Sequence, residues 1–229
     1  MSTSLKGICS MATRGLLVEL AVAYEKRTGV TASFEAVGGV EAAKRVAAGE
    51  RFDVVALASD ALDKLIAAGH FDGGEKVDLV RSGVGVAVRA GAAHPDIANE
   101  EAVRRAVLAA PSIGYSTGPS GVALVALFER WGIADQVESR LVRAAPGVPV
   151  GGMVAKGDAA LGFQQLSELI GVEGIDLLGP LPPEIQIASV FSAAPGVETP
   201  NAGAVRALLA FMTSPPCDEA KRRHGMEPA

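Results

Sequence analysis

Basic residues are scarce in this chain and never run together. Lys and Arg total 21 against 26 Asp and Glu, a formal net charge of -5. Without a basic block or stripe there is no footprint for a phosphate backbone, which argues against nucleic acid as a partner. Any anion site must then be local, made of a few donors working against a field that repels anions. Cysteine is limited to Cys9 and Cys217. Two such distant residues make no disulfide framework and read as free thiols. The three histidines, His70, His94 and His224, fall in predicted loops or the tail. No His/Cys/Asp cluster has metal-ligand spacing, so neither a metal nor an organic cofactor is expected.

Other absences narrow the field. No apolar run approaches the ~20 residues of a membrane span. Residues 1–8 lack the apolar stretch and small-residue cleavage site of a secretory signal. The sequence as it stands reads as cytoplasmic, or as periplasmic if a signal peptide was removed. No dinucleotide fingerprint or Walker loop is present, and Gly118-Pro119-Ser120-Gly121 lacks the spacing of a nucleophile elbow.

What is present is an α/β pattern. With 229 residues, 49% of them hydrophobic, the chain can bury one large core or two modest ones. Strand signals at Leu5–Cys9, Val30–Ala36 and Phe52–Ala58 alternate with helical periods at 13–27, 39–48 and 59–68. Gly29, Gly49 and Gly69 close those helices. The order predicts a parallel sheet covered by helices. A second α/β run extends from Ser112 to Leu178. Val-rich Leu79–Arg89 precedes it and the strand-like Ile187–Ala193 follows it. If these two segments are crossovers, the chain has two lobes and a hinge. A single doubly wound sheet accommodates the same elements equally well.

In open α/β sheets ligands sit beyond the carboxyl ends of strands, at helix N-termini. The first such turn carries Ser10 and Arg14. A cation in a first helical turn opposes the helix dipole, which makes sense if Arg14 grips an anion there; an exposed arginine reaching away from the dipole is the plainer reading. Gly38-Gly39 opens the second helix with room for backbone donors, or is simply a tight turn. Ser59 ends the third strand, as a donor or, like Asp60, an N-cap. The richest turn is Tyr115-Ser116-Thr117-Gly118-Pro119-Ser120-Gly121, whose Ser116, Thr117, Ser120 and Gly121 offer hydroxyls and open backbone at one helix start. Ser120 alone would suffice as a cap. Gln164 and Gln165 follow a later strand and suit a polar ligand, or are ordinary loop polarity. Groups able to move a proton are Cys9, Tyr115 and Glu168, each otherwise readable as core packing or a solvated face.

Taken together, these turns resemble the molybdate-binding-protein branch of type II periplasmic solute-binding proteins. The match lies in the strand ending at Ser10, the Gly38-Gly39 turn, RFDVVALASDALDKLIAAG (Arg51–Gly69), LVRSGVGVAVRAG (Leu79–Gly91) and the strand–turn–helix at Ser112–Trp131. The resemblance implies a type II fold of two lobes, each a mostly parallel sheet covered by helices, joined by two hinge crossovers. Lobe 1 would be residues 1–82 plus 190–229 and lobe 2 residues 83–189, with the ligand cleft between them. It implies a monomer that closes on a small anion and serves an ABC importer permease. Molybdate binders usually carry Ser where this chain has Gly38-Gly39, and Tyr near Phe163-Gln164-Gln165. Arg14 suits a carboxylate better than a tetrahedral oxyanion. The same branch includes aconitate isomerase, to which GFQQLSELI (Gly162–Ile170) and the YSTGPSG loop are similar. That likeness implies an alternative activity, a cofactor-independent proton shift on a di- or tricarboxylate.

Overall fold

The computed structural model describes residues 3–145 and 147–229. From the amino end the chain runs β1 (Ser4–Ser10), α1 (Arg14–Thr28), β2 (Thr31–Val37), α2 (Gly39–Ala47), β3 (Val54–Ala58) and α3 (Ser59–Ala67). A long strand follows, β4 (Val77–Arg89), and then α4 (Glu100–Ala109) and β5 (Ile113–Tyr115). Next come α5 (Pro119–Arg130), α6 (Ala134–Val137), β6 (Leu141–Arg143), α7 (Val150–Lys156) and β7 (Leu161–Gln165). The chain continues through α8 (Leu166–Leu169), β8 (Ile175–Pro180), β9 (Ala188–Pro195), α9 (Ala202–Met212), α10 (Asp218–Arg223) and β10 (Met226–Pro228). Two compact units result. One comprises the residues up to Arg81 together with Val190–Ala229, the other Ser82–Ser189. The two passages between them lie inside β4 and β9.

In the first unit β1 is flanked by β2 and β3, both parallel to it. β9 adds antiparallel to β3. Residues of β1 and β3 alternate between two faces, as strand geometry requires. Leu5, Cys9, Val54 and Ala56 join Leu16, Leu17, Leu20 and Tyr24 of α1 and Val205, Leu208 and Met212 of α9. Ile8, Val55 and Leu57 face the other way, onto Ala42 and Val46 of α2 and Leu62 and Leu65 of α3. Helices therefore cover both faces, and β3 (Val-Val-Ala-Leu-Ala) is apolar along its length because neither face meets water. Gly29 ends α1 in the left-handed region at φ 74°, where a Cβ would be strained.

In the second unit β5 lies between β6 and β7, parallel to both. β7 pairs antiparallel with the distal half of β4, whose other edge takes β8. One core packs Val84, Val86 and Val88 of β4 with Val103 and Val107 of α4 and Leu124, Leu127 and Phe128 of α5. A smaller one sits under α7. The sheets are thus parallel at their centres and antiparallel where the crossing strands join.

Local differences from the sequence reading have simple causes. α5 begins at Pro119 rather than Gly121, because proline suits the first helical position. Neither Ser120 nor Ser59 is an N-cap. Gly118 and Ala58 occupy those positions. The short α6 and β10 have too few residues to show a period.

Candidate functional site

Each unit places its polar turns at the carboxyl ends of adjacent parallel strands. In the first unit, Ser10 ends β1 in register with Val37 of β2, so the Ser10 and Gly38-Gly39 turns are neighbours. A Cβ added to Gly39 would lie 4.0 Å from that of Ser10. Ser59 begins α3 directly after β3. Ser10 is almost fully buried, and its hydroxyl lies 3.3 Å from that of Thr13, which in turn donates to the Ser10 carbonyl. Arg14 is exposed at the start of α1 and forms no ion pair among the described residues. Its charge therefore remains uncompensated beside a helix terminus that also favours an anion.

Ser59 has a partner 17 positions along the chain. Lys76 Nζ donates to its Oγ at 2.6 Å and to Asp63 Oδ1 at 2.6 Å. With one lone pair of the hydroxyl taken up by the ammonium, the Ser59 proton stays available to donate to an anion. Lys76 is brought there by the turn at Gly73–Glu75, between α3 and β4; nothing in its local spacing marks it.

In the second unit, the loop after β5 brings Ser116 Oγ within 3.1 Å of Ser120 Oγ. Gly121 is required here. A Cβ at that position would collide with the Ser116 carbonyl oxygen, so the loop folds back on its own helix only around glycine. The N–H groups of Gly121 and Val122 bond to Gly118 O. Those of Thr117, Gly118 and Ser120 have no partner among the described residues. Thr117, with Tyr115, Ser116 and Gly121, also lines a pocket of about 300 Å³ whose rim carries Arg143. Arg143 ends β6 in register with Tyr115 and is exposed, without an ion pair among the described residues. Val142-Arg143 reads as a short strand in the sequence, but the pairing with β5 that brings Arg143 beside Tyr115 is not encoded locally.

A common feature joins these turns. Among the helices that start from a parallel strand's carboxyl end, α1, α2, α3, α5 and α8 begin without a side-chain cap, as α6, α9 and α10 also do, whereas in the first turn of α7 the Gly151 N–H donates to Gln164 Oε1. α4 starts from a loop instead, and Asn99 Oδ1 caps it through the Ala102 N–H. Helix N-termini left uncapped in this way retain donors for an anion.

The end of β7 is organised differently. Gln164 and Gln165 are both buried, and both amides are committed within the protein. Gln164 Oε1 accepts from the Gly151 N–H at 3.1 Å, and its Nε2 donates to Glu168 Oε2 at 2.7 Å. Gln165, in the amide orientation that satisfies its neighbours, donates to Ser82 O at 3.0 Å and accepts from Ser189 Oγ at 3.0 Å. It therefore fastens β7 to the two crossing segments. Two residues on in sequence, Ser167 Oγ is buried without a partner among the described residues, an arrangement that a ligand or ordered water would complete.

The three proton-moving candidates separate clearly by environment. Cys9 is wholly buried, and burial pushes its thiol up to about 12, against smaller opposing effects of Thr13 and Arg14. It stays protonated and unreactive at neutral pH. Tyr115 is half-buried at the pocket wall. Burial raises the Glu168 carboxyl to about 7, only partly opposed by the hydrogen bond from Gln164. A half-buried carboxyl that titrates near neutrality can both accept and return a proton.

Comparison with known proteins places the chain. Residues 5–227 match the model of the bacterial extracellular solute-binding protein family. The chain belongs to that family. It is 39% identical over 232 residues to an aconitate isomerase of Pseudomonas sp, an alignment covering 99% of this chain and 88% of the relative. The solute-binding fold is also seen in the periplasmic molybdate-binding protein of Azotobacter vinelandii, with TM-score 0.80, 20% identity and 97% and 98% of the two chains covered. The sulfate-binding protein of Mycobacterium tuberculosis H37Rv gives TM-score 0.76 at 17% identity over 99% of this chain and 87% of that one. Among the described residues, no helix is long and apolar enough to cross a membrane.

Proposed function

We propose that this solute-binding protein takes a small polycarboxylate at its strand-end donors and shifts a proton along it, interconverting the geometric isomers of aconitate. The observation that carries this reading is Glu168, a carboxyl titrating near 7 beside the buried, partnerless Ser167 hydroxyl. The 39%-identical aconitate isomerase supports the choice of substrate.

The chemistry balances with one group. Ionised Glu168 removes a proton from the substrate methylene, and the electron pair spreads over the allylic system into a carboxylate. Protonated Glu168 then delivers that proton to the former vinylic carbon, and the double bond moves to the neighbouring position. No oxidant, reductant or co-reactant enters. In the unit that holds Glu168, the hydroxyls of Ser116 and Ser120, with the open N–H groups of the Ser116–Gly121 loop, stabilise the charge that develops. In the other unit, Arg14 carries a positive charge that suits a carboxylate.

The test is to incubate the purified protein with cis-aconitate in deuterium oxide and follow the trans isomer by chromatography and mass. Expected is an equilibrium mixture, with solvent deuterium on carbon to the extent that the Glu168 proton exchanges with solvent before it is returned. Arg14→Ala should weaken binding of the tricarboxylate by about 1.5–3 kcal/mol, the value of a charged hydrogen bond. An affinity within twofold of wild type would show that Arg14 does not hold the ligand. Tight tricarboxylate binding without conversion or exchange would overturn the isomerase and leave the second reading, a receptor that hands the anion to an ABC importer permease. The uncapped helix N-termini favour that reading equally, since they require an anion but no turnover.

A further inference from the structure

The Gln164 side-chain amide links the start of α7 to Glu168, and the geometry fixes which way it points. Its Oε1 accepts from the Gly151 N–H at 3.1 Å, and its Nε2 donates to Glu168 Oε2 at 2.7 Å. The first bond determines the second. An amide whose oxygen is occupied by a backbone N–H has only N–H to offer its other neighbour. Gln164 is also 3% exposed and packed within β7, so it has no room to turn over. Glu168 Oε2 is therefore always an acceptor. A proton on this carboxyl belongs on Oε1, which makes no hydrogen bond among the described residues.

We propose that Gln164 is the positioning residue of the proton shift: it anchors Glu168 through Oε2 and leaves Oε1 as the atom that takes and returns the substrate proton. The assignment to catalysis rests on the isomerase reading above; the one-way hydrogen bond does not. A donated N–H favours the ionised carboxyl, so Gln164 also opposes the effect of burial. Without it, a smaller fraction of Glu168 would be ionised at neutral pH and ready to begin the reaction. Other charges do not compete for this role. α8 packs on α7, β7 and β8. β7 has no ionisable residue, α7 has only Lys156 at its far end, and β8 has only Asp176, which is bonded to His94 and the Gly91 N–H.

The experiment reads Glu168 directly, by carbon-detected NMR titration of its carboxyl, assigned against Glu168→Gln and recorded without substrate. The pH profile of kcat/KM is measured alongside. Gln164→Met removes the donor. The Glu168 midpoint should then rise by about one unit or more, the effect of one hydrogen bond to the charged form. The acidic limb of kcat/KM should move upward by the same amount, with kcat at pH 7 falling about 5-fold or more and KM nearly unchanged. Gln164→Glu guards against misfolding, because it keeps the volume and the acceptor for Gly151. Its like charge should raise the midpoint further and not restore activity. A midpoint unmoved in both variants would overturn the proposal, as would an acidic limb that stays in place while the midpoint shifts. If the midpoint moves but the wild type turns over no aconitate, the fault lies with the isomerase reading, and Gln164 loses its catalytic role with it.

Discussion

Glu168→Gln offers a test that needs no ligand, because a carboxyl raised by burial leaves a mark on stability. In the unfolded chain this group titrates near its ordinary 4.5, and in the folded protein near 7. The folded state thus holds the proton more tightly, so its stability contribution is full below about pH 4.5 and is lost as pH rises through 7. Integrated over that window, ionisation removes about 3 kcal/mol, at 1.36 kcal/mol per pH unit. Glutamine has nearly the same shape, can still accept from Gln164 Nε2, and never ionises. Glu168→Gln should therefore match wild type near pH 4.5 and exceed it by up to about 3 kcal/mol at pH 8. In a chain of this size that is roughly 6–12 °C in Tm.

The assay is thermal or urea unfolding of both proteins at half-unit intervals from pH 4.5 to 8.5. The difference between the two curves isolates one group, since every other titrating residue is common to both. A difference that is flat with pH, or that favours wild type increasingly above pH 6, would refute the buried-carboxyl argument. The same variant should lose isomerase turnover by about 10²–10⁴-fold, as expected for the loss of a general base.

Two further outcomes follow from the strand-end turns. Gly121→Ala should cost about 1–3 kcal/mol of stability and weaken tricarboxylate binding at least ~10-fold, because the Ser116 carbonyl that a Cβ would meet is backbone and cannot step aside. Gly203→Ala, where a Cβ meets open space, should be neutral or stabilising, and equal losses at the two glycines would remove the steric argument. Lys76→Met frees Ser59 to point its hydroxyl elsewhere and removes a cation 2.6 Å from it. Calorimetric titration should show anion affinity falling by about 5–10-fold with a shallower dependence on salt; an unchanged affinity would separate Ser59 from the ligand.

The elements were legible because their periods are clean. β3 is a run of five apolar residues bounded by Asp53 and Ser59, and α4 starts and stops at Glu100 and Ala109 as its pattern indicates. The strand-end turns were legible because hydroxyls and glycines cluster there beyond what capping needs. Hidden were the partners of those residues. Lys76 meets Ser59 across 17 positions, and Gln165 meets Ser82 and Ser189 on two distant segments. Nothing local encodes such pairs. The two glutamines illustrate the resulting error of emphasis. Polar residues at a strand end read as ligand contacts, yet both amides are occupied within the protein.

Cys9 and Glu168 show why residue type alone could not identify the proton-moving group. In the sequence both sit at or just past a strand's carboxyl end, and each carries a titratable atom. Burial acts on both in the same direction, disfavouring the charged form. For a thiol that starts near 9, the push reaches about 12 and silences it. For a carboxyl that starts near 4.5, a similar push arrives at about 7, where the group is most useful as a base and as its conjugate acid. The same desolvation that removes one candidate therefore creates the other. What keeps Glu168 from overshooting is the N–H of Gln164, held in that orientation by Gly151. The reactivity of the corner thus depends on a backbone hydrogen bond from α7 as much as on the carboxyl itself.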